Sequence, residues 1–162
     1  MILVGLGSST PFLGRPPEAI VQKALGALSR LGRLCAGSRL YRSAAWPNAS
    51  DPPFINAVAE IASDLGPTML LSALTSIEAG FGRQQSCRNA PRTLDLDLLD
   101  YEGKIWLPTA HNALELPHPR IAARDFVLAP LAEIAPGWRH PVTGDTARAL
   151  LSRLGQQAAR PI

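Results

Sequence analysis

The chain has 162 residues, 46% of them hydrophobic, and a formal net charge of +3, which fits one domain, residues 1–162, around a single core. No apolar run approaches the ~18 residues a membrane span needs. No run of Lys and Arg forms the basic stripe of a nucleic-acid footprint, so neither a membrane nor a nucleic acid is an expected partner.

Met1–Gly5 reads as a first strand. Its stretch MILVGLGSST has no basic segment ahead of the apolar residues and soon reaches glycine and serine. That makes a poor signal peptide and sets a cytoplasmic expectation. GLGSST, Gly5 to Thr10, lacks the third glycine of a dinucleotide-binding loop, and no helix follows it directly. It reads as a turn at a strand end. Pro17–Leu31 reads as a helix with Pro17 in its first turn and Ile20, Ala24, Leu28 and Leu31 on one face. Leu34–Arg42 reads as a strand, Ser43–Pro53 as a loop rich in Pro, Asn, Asp and Ser, and Phe54–Ala62 as a strand. Pro67–Phe81 is a second helix with Leu70, Leu74, Ile77 and Phe81 in register. Gly82–Pro91 is a polar loop, Thr93–Tyr101 a leucine-rich strand, and Phe126–Ala135 and Thr146–Leu154 carry weaker helical signals. Cys35 and Cys87 form no CxxC pair and read as free thiols. Strand, helix, strand, strand, helix, strand is the βαββαβ order of a ferredoxin-like α/β sandwich, of the α+β class, with both long helices on one sheet face.

The chemistry concentrates in RNAPRTLDLDLLDYEG, Arg88 to Gly103. Strand side chains alternate faces, so Leu94, Leu96 and Leu98 share the helix-covered face and Thr93, Asp95, Asp97 and Leu99 the other. Two carboxylates about 7 Å apart on one face need a cation. Mg²⁺ suits them, because it binds through one or two carboxylates while substrate phosphates complete its shell. The plain alternative, Asp residues facing water, loses ground to Arg88 and Arg92 just upstream. Guanidiniums that seek anions, beside carboxylates that seek a cation, point to a bound metal polyphosphate. Lys23 and Lys104 are the only lysines among 16 basic residues. GC-rich coding explains most of that bias, although Arg also forks onto phosphate as Lys cannot.

Phe54 opens a strand with Asn56 on the same face, and Phe126 follows LPHPRIAARD. A ring beside an amide suits a flat heterocycle whose face stacks and whose edge is read by hydrogen bonds. From spacing alone, core phenylalanines are the better reading. His118, between two prolines and followed by Arg120 and Arg124, is a candidate phosphate ligand.

At PRTLDLDLL, Pro91 to Leu99, the chain resembles the 6-hydroxymethyl-7,8-dihydropterin pyrophosphokinases of folate biosynthesis. The resemblance extends through GLGSS, YRS at Tyr41 to Ser43, FINAV at Phe54 to Val58, Gly82-Arg83, LPHP at Leu116 to Pro119 and RDFVLAPLAEIAP at Arg124 to Pro136. It implies a ferredoxin-like core with a mostly antiparallel sheet, and transfer of pyrophosphate from ATP to the hydroxymethyl oxygen of a reduced pterin, with release of AMP. It implies that Asp95 and Asp97 hold two Mg²⁺ ions and that Arg83 and Arg92 grip the transferred phosphates, these four forming the catalytic set. Glu78, Arg88, Arg92, Leu98, His118 and Arg124 would bind ATP. Phe54 and Phe126 would sandwich the pterin, with Asn56 on its edge and Ser43 and Trp46 nearby. The chain has Asn89-Ala90 where better-known members have Trp-Gly, and Ser9 where Asn is usual. With no interface stripe evident, a monomer is expected. Two rival readings differ in products or turnover: a metal-dependent phosphohydrolase releases phosphate without a pterin, and a binding module that has lost catalysis has no use for paired carboxylates.

Overall fold

The structure is a computed structural model that describes residues 1–45, 48–84, 91–110, 112–155 and 158–162. Strand β1, Ile2–Ser8, is buried along its whole length, because it lies in the middle of a sheet covered on both faces. Its neighbours are β4, Phe54–Ala62, and β5, Asp95–Tyr101, both antiparallel to it. The expected second strand is divided into β2, Arg33–Gly37, and β3, Tyr41–Ser43, and both pair antiparallel with β4. The division falls at Ser38, whose hydroxyl accepts the Val58 amide at 3.0 Å, while its own amide donates to the Val58 carbonyl at 2.9 Å. Taking β2 and β3 as one strand, the order β5-β1-β4-β2/β3 is that of a ferredoxin-like sheet. A short strand β6, Arg160–Pro161, adds to the β3 edge and had no counterpart in the sequence reading. Proline, with no amide to donate, is tolerated at such an edge.

Helices α1, Pro17–Leu28, and α2, Pro67–Gly80, cover one face. Ile20, Val21, Ala24, Leu28, Leu70 and Leu74 pack there against Ile2, Val4, Leu6, Leu94, Leu96 and Leu98. Each helix starts on a proline, which lacks an amide where a helix leaves its first amides unbonded anyway. The predicted α1 ends at Leu31; the helix closes three residues earlier, and Leu31 reaches the same core from the following turn.

The opposite face carries a second layer that the sequence reading did not place. Helices α3, Asp125–Ile134, and α4, Ala147–Arg153, pack Val127, Leu128, Leu131, Leu150 and Leu151 onto Leu3, Val58 and Leu99. Trp138 seals this layer by donating its indole N–H to buried Asp100 at 2.8 Å, and the Gly103 amide donates to the other oxygen of Asp100. No helix among the described residues is long and apolar enough to cross a membrane.

Candidate active site

The second layer covers only part of its face. The uncovered part is set by register. Asp95 on β5 and Asn56 on β4 are both partners of Gly7, and Asp97 and Val58 are both partners of Gly5. The alternation read from the sequence holds: Leu96 and Leu98 enter the first core while both aspartates point the other way, partly exposed.

Three arginines converge on those aspartates. Arg92 Nη1 donates to Asp95 Oδ2 at 2.8 Å, and Arg83 Nη1 donates to Asp95 Oδ1. Arg124, the residue before α3, donates to Asp97 Oδ2 at 3.0 Å, and His118 Nε2 lies 3.9 Å from the same oxygen. The His118 Nδ1 accepts the Arg120 amide, which leaves Nε2 as the protonated nitrogen facing Asp97. Burial pushes the His118 imidazole below its usual value. Asp97 pulls it back up, and Arg124 and Arg120 push it further down.

Glu78, on the last turn of α2, is 6% exposed. Its Oε1 accepts the Leu96 amide at 2.6 Å and a second bond from Arg83. Burial pushes this carboxyl up to about 7, against the Leu96 amide and Arg83, and nearby Asp95 adds to the rise. Arg83 is lowered by its own burial but raised further by Asp95 and Glu78, so it stays charged. Burial outweighs the Leu96 amide and the shared guanidinium, which is why Glu78 protonates more readily than an ordinary glutamate although it is hydrogen-bonded. The turn that presents Arg83 uses Gly82 at φ 74°, where a side chain would run into the ring of Phe12.

The GLGSST stretch has a role that the sequence reading missed. The Ser9 and Thr10 amides donate to the Arg92 carbonyl at 2.9 and 3.0 Å, and Ser9 Oγ accepts the Arg92 amide at 3.1 Å. Ser8 Oγ donates to the Thr93 carbonyl at 2.6 Å. The loop after β1 therefore clamps the backbone of a site arginine. More than eighty residues separate the partners, so no local pattern reveals them; two consecutive serines ending an apolar strand are the only trace. Arg92 Nε, Thr93 Oγ1 and Thr10 Oγ1 are buried with no hydrogen-bond partner among the described residues. Native chains rarely leave such groups unsatisfied unless a site, ion or water uses them.

Across Gly7 lies the second half of the site. Asn56 is buried and donates from Nδ2 to Ser43 Oγ at 3.0 Å. Phe54 is the register partner of Ser43 and is partly exposed. Phe126 packs in part against the second core, with the Arg124 guanidinium 5.5 Å from its ring centroid. Leu98, expected near ATP, is 3% exposed inside the first core and does not reach the aspartate face. Arg88 and Trp46, like Asn89, Ala90 and Cys87, lie outside the described residues. Cys35 is an exposed free thiol.

No group of three or more His, Cys, Asp or Glu among the described residues forms a ready metal cage. The donor set fits Mg²⁺ all the same. Two hard carboxylates on one face are what that ion takes from a protein when substrate oxygens supply the rest of its shell.

Residues 3–136 match the 7,8-dihydro-6-hydroxymethylpterin-pyrophosphokinase (HPPK) family. The chain belongs to this family. A Synechocystis protein named 2-amino-4-hydroxy-6-hydroxymethyldihydropteridine pyrophosphokinase is 40% identical over 161 residues, covering 99% of this chain and 79% of that one. A Pseudomonas aeruginosa protein of the same name is 45% identical over 143 residues, covering 86% and 83%. Among solved structures, a Plasmodium falciparum HPPK-DHPS superimposes with a TM-score of 0.75 at 12% identity, over 99% of this chain and 48% of that one. The chain thus spans about half of that larger HPPK-containing protein, and the likeness there is one of fold. It supports the α+β, ferredoxin-like assignment.

Proposed function

We propose that this HPPK chain transfers the β,γ-pyrophosphoryl group of ATP to the hydroxymethyl oxygen of 6-hydroxymethyl-7,8-dihydropterin and releases AMP. The observation that carries the reading is one row of the sheet, on which Asp95 and Asn56 flank Gly7. A polyphosphate half and a heterocycle half thereby adjoin without an intervening side chain.

Arg83 and Arg92 pair with Asp95, and Arg124 pairs with Asp97. With ATP present, the guanidiniums turn to phosphate oxygens, which they match as forks. Asp95 and Asp97 would hold magnesium, two ions being expected. When bound, the metal neutralises and orients the triphosphate. Arg92 keeps its position because Ser9 and Thr10 fix its backbone. Phe54 and Phe126 stack on the pterin, and Asn56, steadied by Ser43, reads its edge. The hydroxymethyl oxygen bonds to the β-phosphorus, the bridge to the α-phosphorus breaks with its electron pair leaving on AMP, and the hydroxyl proton is lost. No protein nucleophile is required, since such transfers rest on positioning and electrostatic stabilisation.

Chromatography of the nucleotides tests the reading. AMP should form only when the reduced pterin is present. ADP as the main product would mean ordinary kinase chemistry, and phosphate release independent of pterin would mean a hydrolase.

A further inference from the structure

Where the C-terminal ends of α1 and α2 meet the loop after β1, a recess of about 400 Å³ is lined by Phe12, Leu13, Arg15, Lys23, Arg30 and Phe81. Small-molecule sites run from about 300 to 1,000 Å³. The recess lies in the helix layer, on the opposite side of the sheet from Asp95 and Asp97. Its three cations form no ion pair among the described residues. The helices offer them none: Glu18, the one carboxylate of α1, is engaged by Arg42 at 3.2 Å, and Glu78, the one carboxylate of α2, is buried against Leu96 and Arg83. A solvated helix face ordinarily mixes both signs. Here Lys23 and Arg30 stand two turns apart on one side, with positive charge alone.

The walls are built rather than left over. Phe12 and Arg15 exchange both backbone hydrogen bonds at 3.0 Å around a tight turn with Leu13 at φ 48° and Gly14 at φ 72°. A leucine in that left-handed region is strained, and Leu13 is 74% exposed, so it adds nothing to the core. Strain of this kind collects at ligand sites. Gly26, inside α1, and Gly80, at the end of α2, also line the recess, and a Cβ at either would meet no other part of the chain within 4 Å. Glycine disfavours a helix, and packing does not call for it here; the space it leaves belongs to the recess.

We propose that this recess is a binding site for a small aromatic polyanion, separate from the nucleotide and pterin site. Phe12 and Phe81 take the flat body of the ligand, and Arg15, Lys23 and Arg30 take its charges. Two half-buried rings beside three cations that lack counterions suit such a molecule better than a bare inorganic ion.

The probe is trimesate, an aromatic tricarboxylate, titrated calorimetrically into the full chain with the nucleotide site filled by a saturating non-hydrolysable ATP analogue and Mg²⁺. Wild type should bind one equivalent. Lys23→Gln/Arg30→Gln should bind about tenfold or more weakly, whereas Arg148→Gln/Arg160→Gln, an equal loss of charge elsewhere, should stay within about twofold of wild type. Gly26→Leu fills the recess and should bind about tenfold or more weakly while melting at or above the wild-type temperature, since leucine is the better helix former. Tricarballylate, an open-chain tricarboxylate, should bind wild type about fivefold or more weakly than trimesate. No binding by wild type, equal weakening in the two charge variants, unchanged affinity in Gly26→Leu, or equal affinity for the two tricarboxylates would each overturn the proposal and leave the functional reading in place.

Discussion

Glu78 accepts the amide of Leu96, the residue between Asp95 and Asp97, at 2.6 Å. The last turn of α2 is thereby tied to the backbone that carries both carboxylates, through a carboxyl that burial pushes up to about 7. The pH dependence follows. The folded value lies above the ordinary 4.5, so between those limits the native chain binds more protons than the unfolded chain, and stability falls as pH rises. At 1.4 kcal/mol per unit the contribution reaches about 3 kcal/mol at most. Urea unfolding of wild type and Glu78→Gln at pH 5 and pH 8 isolates it. The wild type should lose stability relative to the variant as pH rises; parallel profiles would dismiss the role given to burial.

Asp97→Asn should leave the fold intact, because Asp97 is about one-third exposed on the open part of its face. Turnover in Mg²⁺ should fall by about a hundredfold or more, the scale of losing one electrostatic contact to the transition state. A folded variant with near-wild-type turnover would end the metal assignment.

How much of this was legible in the sequence depends on whether a feature is local. Phe54–Ala62 was read with its observed bounds, because β-branched and apolar residues follow a loop of Pro and Asp. The two faces of β5 followed from alternation as far as Leu99; an irregularity opposite Leu3 and Val4 then puts Asp100 on the same side as Leu99 and Tyr101 in the first core. The division of the second strand at Ser38 was not legible, because the hydroxyl that replaces a backbone acceptor there meets Val58 from another strand. The layer of α3 and α4 was visible only as weak periodicity, with Pro130 inside α3, and nothing local says that it covers Leu3, Val58 and Leu99. In the site, Arg92 beside the two aspartates was read from spacing, while Arg83 and Arg124 were expected only from the family resemblance. The Glu78–Arg83–Asp95 bridge and the clamp of Ser9 on Arg92 needed the fold.

That clamp yields a further expectation. Ser9 is 3% exposed, so Ser9→Ala leaves the Arg92 amide buried without its acceptor, at a cost of about 1–3 kcal/mol. Arg92 should lose its fixed position, lowering kcat more than it raises KM for the pterin. Ser9→Thr, which restores the hydroxyl, should recover most of the activity. Equal loss in both variants would make Ser9 a packing residue only.

Phe126→Ala removes one stacking face. An aromatic pair contributes about 0.5–1.5 kcal/mol beyond burial, so reduced-pterin binding should weaken clearly while binding of the ATP analogue changes little. Because Phe126 also touches the second core, a modest drop in melting temperature should accompany this. Equal weakening of both ligands would assign the ring to the core alone.

The most direct test of the account follows the label in ATP carrying radioactive phosphorus at the α, β or γ position in three separate reactions with Mg²⁺ and the reduced pterin. The account predicts that β and γ label both appear on the pterin in equal amounts and that α label stays with AMP. Transfer of γ label alone with ADP left behind, or β and γ label recovered as free phosphate, would contradict it.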